Sequence, residues 1–314
     1  MNEIKEQIKI ARPNLRESTL NTYMAQLRKM SFELSGGALD DLAFFIDTEK
    51  VIDWIDTLSP NVGNTFMSTI IVALTSEAPR TAEIDELVAV YRNIFKERKQ
   101  IYRDSLGSRK KTQKESSQWT SMKALLDVQK RLGLQVAAAH IADKPGLNQR
   151  NKWLLQRYLI ASLYTLLPPR RLIYSSVKLI SNKAFKSLTF DQRNANYLVF
   201  SKKLHILFFF FGCQKSKCYK EGQIIKPTAA LKKVLKIYLQ HNVENDTLLV
   251  NRSGGPMSTG SLAGLIENMF GIRVGMIRKI YISHKTAKFH KTIEKIANGM
   301  GHSVETAKNF YLKD

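Results

Sequence analysis

The spacing of apolar residues changes character along this 314-residue chain, and that change limits the fold more than any other feature. Leu20, Tyr23, Met24, Leu27 and Met30 recur at threes and fours, the period of one helical face. Comparable helical stretches follow at 51–58 before Ser59-Pro60, after Asn61 through Phe66, Ile70, Ile71 and Leu74, and at 82–101. Between 197 and 225 the pattern gives way to three short strand-like runs, 197–200, 204–211 and 218–225. Polar turns containing Lys202-Lys203 and Gln214-Lys215-Ser216-Lys217 separate them, which predicts an antiparallel meander with lysines at its tips. The phenylalanines at 208–211 do not alternate with polar residues, so at least part of that run is expected to be buried on both faces. Helical spacing returns after Pro227, with Leu231, Val234, Leu235, Tyr238 and Leu239, and after Ser258, with Leu262, Leu265, Ile266, Met269 and Phe270. The fold class expected is mainly α with a small antiparallel β-sheet.

The chain also punctuates itself. Ser18 or Thr19 is placed to cap the first amphipathic helix, and Gly36-Gly37 ends it. Residues 103–117 are polar, basic and nearly free of apolar side chains, the composition of a linker. Such a run is either simply solvated or able to track a phosphate backbone. The expected organisation is therefore a helical domain at 1–102, a linker at 103–117 and an α+β domain at 118–314. Within the second domain, Pro168-Pro169 closes a helix at 153–166, because proline can neither continue a helix nor leave the preceding residue unrestrained. Arg170 and Arg171 follow at once.

Charge bears on partners. The formal net charge is +22, and it is unevenly spread: of 49 Lys and Arg residues 12 fall within 1–100, and of 27 Asp and Glu residues 15 do, leaving 37 basic and 12 acidic for the rest. No acidic residue lies between Asp143 and Asp191, a stretch that includes Arg150, Lys152, Arg157, Arg170, Arg171, Lys178, Lys183 and Lys186. A field of this kind favours a polyanion, most simply nucleic acid; the plainer alternative is a generally basic, solvated surface. Lys202, Lys203 and the basic run are expected to touch phosphates rather than bases. The two cysteines, Cys213 and Cys218, have only His205 nearby, which is too few ligands for zinc. With few cysteines, no apolar leader at Met1 to Glu6 and no apolar run long enough to span a bilayer, a soluble intracellular protein is expected.

Five side chains then stand out: Arg170 after the double proline, Lys215 in a strand turn, Arg278, His302 and Tyr311. Each has a bland reading as a helix-end charge, a solvated turn, a surface residue, a satisfied imidazole or a packed ring. Together they meet the needs of phosphoryl transfer at a nucleic-acid backbone. Two guanidinium forks match non-bridging phosphate oxygens and hold the charge of the transition state. A tyrosine hydroxyl becomes a usable nucleophile when positive neighbours favour its phenolate. A lysine can give a proton to the leaving oxygen, and a histidine can donate to the phosphate or assist proton transfer. No metal or other cofactor is called for, and no carboxylate cluster is present in the sequence to hold one.

Met300-Gly-His-Ser-Val-Glu-Thr-Ala-Lys-Asn-Phe-Tyr311 resembles the Gly-His-Ser turn and later nucleophilic tyrosine of the tyrosine recombinases and integrases. Leu166-Leu-Pro-Pro-Arg-Arg-Leu-Ile173 is similar to that family's first arginine box, Gln214-Lys-Ser-Lys-Cys-Tyr219 to its hairpin lysine, and Met276-Ile-Arg-Lys-Ile-Tyr-Ile-Ser283 to its second arginine box. Pro13 to Tyr23 is similar to its helical core-binding domain, and the Pro-Pro-Arg-Arg form looks most like members from large DNA viruses and eukaryotic mobile elements. The resemblance implies a core-binding domain at 1–102 and a catalytic domain at 118–314 closing on duplex DNA. It implies a 3′-phosphotyrosyl intermediate at Tyr311, a homodimer on one site and a tetramer across two. A host nucleus or a viral replication site is the compartment that fits. Two places depart from the pattern: Gly275 stands where the family usually has a histidine three residues before the second arginine, and Ile173 where an acidic residue is common. The short segment after Tyr311 argues against assembly by exchange of a C-terminal tail. The rivals are a DNA-binding relative that has lost turnover and a tyrosine-dependent topoisomerase.

Overall fold

The computed structural model describes residues 2–107, 111–201, 203–214, 217–242 and 244–299. The chain divides into two compact units, Met1–Lys110 and Lys111–Asp314.

The first unit is helical throughout its regular structure: α1 (Asn2–Ala11), α2 (Glu17–Ser35), α3 (Thr48–Asp56), α4 (Pro60–Ser76) and α5 (Ala82–Gly107). The stripe read from the sequence becomes core, with Leu20, Met24, Leu27 and Met30 of α2 buried against Phe66, Met67 and Ile70 of α4 and Tyr91 of α5 in one cluster. Gly36 ends α2 in the left-handed conformation (φ 70°), its N–H donating to the Phe32 carbonyl. The expected Ser18 or Thr19 cap is not used. The helix starts earlier, with Arg16 at the cap position and no side-chain cap, because the Arg16 carbonyl already accepts from the amides of Thr19 and Leu20.

The stretch 103–117, expected as a linker, is largely helical where it is described. α5 continues to Gly107, and α6 (Gln113–Gln118) opens the second unit. Its polarity concealed a start signal: the Thr112 hydroxyl accepts from the Glu115 amide while Glu115 reaches back to the Thr112 amide, a reciprocal capping box. Arg, Lys, Gln and Glu are also good helix formers, so a lack of apolar residues does not exclude helix.

The second unit continues with α7 (Met122–Ala138), α8 (Gln149–Thr165), β1 (Val177–Ser181), α9 (Asn182–Lys186), β2 (Asn196–Phe200), β3 (Ile206–Gln214), β4 (Lys217–Ile225), α10 (Ala229–Gln240), α11 (Thr259–Phe270) and α12 (Val274–Gly299). The sheet has the order β1-β2-β3-β4, and it is mixed rather than antiparallel: β1 pairs parallel with β2, while β2, β3 and β4 form the expected meander. β1 escaped the sequence reading because it is short and runs straight into α9, the crossover a parallel pair requires. The β3 strand begins at Ile206 instead of 204, since Leu204 turns the chain at φ 54° with its amide on the Ser201 carbonyl. The phenylalanine run is explained by two cores. Phe209 and Phe211 belong to the main cluster with α8, α10 and α11, whereas Phe210 packs with Phe185, Tyr197 and Val199 on the other side.

Among the described residues no helix is long and apolar enough to cross a membrane.

Candidate active site

Arg170 owes its position to the end of α8. Pro168 and Pro169 cannot continue that helix, so the chain leaves it with Leu167 and Pro169 buried and Arg170 half-buried behind them. The Tyr164 hydroxyl, inside the helix, donates to the Arg171 carbonyl at 3.0 Å and ties the turn down. Beneath it lies an aromatic platform. The buried Tyr174 ring stands edge-on to Tyr164, Phe209 and Phe211, with centroids 5.5, 5.9 and 6.1 Å away.

The Arg170 guanidinium rests on this platform. Its central carbon is 3.9 Å from the Phe211 ring centroid, and Nη2 donates to Oε1 of Gln223. Phe211 and Gln223 are register partners on β3 and β4, so two adjacent strands hold one cation from below and from the side. A cation over an aromatic face gains about 0.5–2 kcal/mol. Neither Phe211 nor Gln223 was singled out by the sequence as a site residue. They lie far from Arg170 in the chain, and only register pairing brings them to it.

Two glycines shape these strands. A Cβ on Gly212 would lie 1.8 Å from the Arg193 carbonyl oxygen, and one on Gly222, at φ 69°, would lie 2.2 Å from the Phe210 ring. Both positions therefore demand the absence of a side chain, beside Phe211 and Gln223 respectively.

Arg278 lies in the second turn of α12. Ile277 and Ile280 on that helix are buried, and Arg278 is half-buried between them and solvent. Among the described residues no carboxylate or other acceptor pairs with its guanidinium. The nearby carboxylate is engaged elsewhere: Glu115 takes a hydrogen bond from Lys279, which with its own capping bonds holds its carboxyl below the ordinary range. α11 packs both on the 3-10 turn Leu172–Ser176 that follows Arg170 and on α12, which carries Arg278. Gly275 is exposed in the first turn of α12, and a Cβ there would meet nothing within 4 Å.

Burial raises the phenols of Tyr91, Tyr158, Tyr164, Tyr174, Tyr197 and Tyr238, and at Tyr174 the Arg170 charge only partly opposes it. None of these six is prepared to act as a phenolate nucleophile. The sequence-predicted Lys215 falls between Gln214 and Lys217, which pair at the ends of β3 and β4, but Lys215 itself lies outside the described residues. So do His302, Tyr311 and Lys202. Of the five predicted site residues, the structure thus describes Arg170 and Arg278. Arg150, Lys152, Arg171, Lys178, Lys183 and Lys186 of the acid-free stretch are exposed in the same unit. Among the described residues no group of three or more His, Cys, Asp or Glu side chains could hold a metal ion. Compared with known proteins, the chain matches no family model and no curated sequence.

Proposed function

We propose that this chain is a DNA strand-breaking and rejoining enzyme of the tyrosine-recombinase kind, acting on duplex DNA at specific sites through a 3′-phosphotyrosyl intermediate. The observation that carries the reading is the mounting of Arg170, whose guanidinium is held by the Phe211 face and by Gln223. A guanidinium fixed in advance costs no reorganisation when charge develops on a phosphate, which is how preorganised cations lower such barriers. Arg278, unpaired among the described residues on a helix in the same unit, suits a second contact to the same anion. Lys215, His302 and Tyr311 complete the constellation by their order in the sequence, as leaving-group acid, phosphate donor and nucleophile. The reaction conserves the phosphoester bond energy in the covalent intermediate, so rejoining requires only the attacking hydroxyl of a second strand. The fold class supports the reading at the coarse level alone, since a helical unit followed by a helical unit with a small sheet hosts many functions.

A second reading, a DNA-binding relative without turnover, is favoured by Gly275, which supplies no proton-transfer group at the start of α12. The two separate in a suicide-substrate experiment. Wild type and Tyr311→Phe are incubated with nicked duplexes in EDTA, and a detergent-stable protein–DNA adduct is sought. An adduct with wild type alone supports the recombinase reading. Salt-sensitive binding without any adduct, on two independent sets of ends, supports the second.

A further inference from the structure

On the second unit, at the opposite end of β3 from Gln223's partner, a groove of about 330 Å³ is lined by Leu204, His205, Ile206, Lys232, Lys233 and Lys236. Ile206 and Phe211 are five positions apart on one strand, so the groove is about 17 Å from the Arg170 platform along β3. Its floor is aliphatic, from Leu204 and the buried Ile206, and its rim is cationic. Lys232, Lys233 and Lys236 are all exposed on α10, and none of them forms an ion pair with a described residue. A nucleic-acid backbone would satisfy the lysines but leave the aliphatic floor uncovered, and the groove offers no broad aromatic face on which bases could stack. The occupant that fits both parts carries carboxylates around an aliphatic side chain.

We infer that this groove receives the acidic segment around Ile46 from the first unit of a second copy of this chain. Ile46 is 71 % exposed, and what sets it apart from the other exposed apolar residues is its acidic surround, since Asp40, Asp41, Asp47 and Glu49 are exposed as well. The segment is rigid. The buried Tyr91 hydroxyl donates to the Phe45 carbonyl at 2.7 Å, Asp41 accepts from the Ala43 amide at 2.9 Å, and Asp47 caps α3 by accepting from the Lys50 amide at 3.1 Å. A segment already fixed loses little conformational freedom on docking. Glu77 lies beside it, its carboxyl held above the ordinary value first by burial and second by Asp41, so the segment's acidic surface extends to a further carboxyl. At a net charge of +22 two copies repel through most of their surface. The first hundred residues, with 15 acidic against 12 basic side chains, are where attraction to a lysine-rimmed groove is available. Because groove and segment are different patches, the contact is head-to-tail and generates a ring or an open chain of copies.

The test is sedimentation velocity of the full chain without DNA, across concentration and at low and raised salt. Wild type should self-associate in a salt-sensitive manner. Lys232→Glu/Lys236→Glu, and separately Asp40→Lys/Glu49→Lys, should each weaken association at least tenfold, and mixing the two variants should restore it, which neither misfolding nor a general charge effect would do. Ile46→Ser should weaken it without a change in charge. The inference is overturned by a wild type that remains monomeric throughout, by association that survives the lysine reversal, or by failure of the mixed variants to associate. It is equally overturned if the lysine reversal lowers duplex-DNA affinity and leaves self-association intact, which would make the groove a phosphate-backbone surface. With no DNA in the assay, this result stands apart from the outcome of the strand-cleavage experiment.

Discussion

Arg170 and Phe211 are joined face to cation, with the guanidinium carbon 3.9 Å from the ring centroid, although forty-one positions separate them in the chain. Phe211 is fully buried, so an alanine there would mix the loss of the π face with a cavity. Phe211→Leu keeps an apolar filling and removes the face. Adduct formation on nicked duplex is expected to slow by about 2- to 30-fold, the equivalent of a contact of ~0.5–2 kcal/mol, with duplex affinity little changed. Equal single-turnover rates for the two proteins would show that the ring does not hold the arginine for chemistry.

Gln223 supplies the lateral support for Arg170, and Ile173, three residues after that arginine, has no polar group with which to do so. A neutral amide orients the guanidinium without cancelling its charge. Gln223→Ala is therefore expected to lower the cleavage rate by roughly tenfold, the size of a net hydrogen bond to a charged group at ~1.5 kcal/mol. Gln223→Glu preserves the shape but adds a negative charge beside the proposed phosphate contact, so it should weaken DNA binding as well as rate. Filter-binding affinities and single-turnover rates measured side by side distinguish the two effects; a glutamate variant that binds as tightly as wild type would rule out this electrostatic account.

Much of the fold was legible because amphipathic spacing reports directly on burial. The stripes at Leu20 to Met30 and at Leu231 to Leu239 became core as read, and the three strands of the meander fell within a few residues of their expected places. What escaped detection depended on contacts distant in sequence or on cues too local for periodicity. The strand β1 is defined by its neighbour β2, the Thr112 and Glu115 capping box by reciprocal hydrogen bonds, and the support of Arg170 by strand register. Arg170 itself could be picked out because the double proline dictates where the helix stops. Phe211 could be read as buried, but nothing in the order of residues said which cation it would carry.

Glu77 gives a pH test of the first unit. It closes α4, and burial first and Asp41 second raise its carboxyl above the ordinary value of 4.5. A folded-state value above the unfolded one means that the folded chain holds the proton more tightly, so stability falls as pH rises through this range. Below the ordinary carboxylate value both states are protonated and the penalty vanishes; near neutrality it is fully present. Glu77→Gln should accordingly raise the melting temperature at pH 7 and leave it almost unchanged near pH 3.5. A variant that is no more stable at pH 7, or equally stabilised at both pH values, would count against this assignment.

Gly275 offers a gain-of-function experiment, which discriminates better than another loss. It lies in the first turn of α12, three residues before Arg278, and the space where a side chain would project is open for 4 Å. Gly275→His therefore meets no steric obstacle, and replacing a helical glycine with a residue of better propensity is expected to cost no stability and to add a few tenths of a kcal/mol. The start of a helix disfavours a positive charge, which keeps the new imidazole neutral near pH 7 and able to accept a proton. Positioned acid–base groups contribute about 10²–10⁴-fold to rate, and an unoptimised one should still raise adduct formation severalfold if proton transfer limits the proposed reaction in the wild-type chain. The increase should appear in single-turnover rate and fade as pH falls below the imidazole range, with DNA affinity unaltered. A folded variant with an unchanged rate would place the limiting step of the proposed reaction elsewhere, in binding or in assembly of the DNA complex, and would mean that the glycine at this position is not what sets its speed.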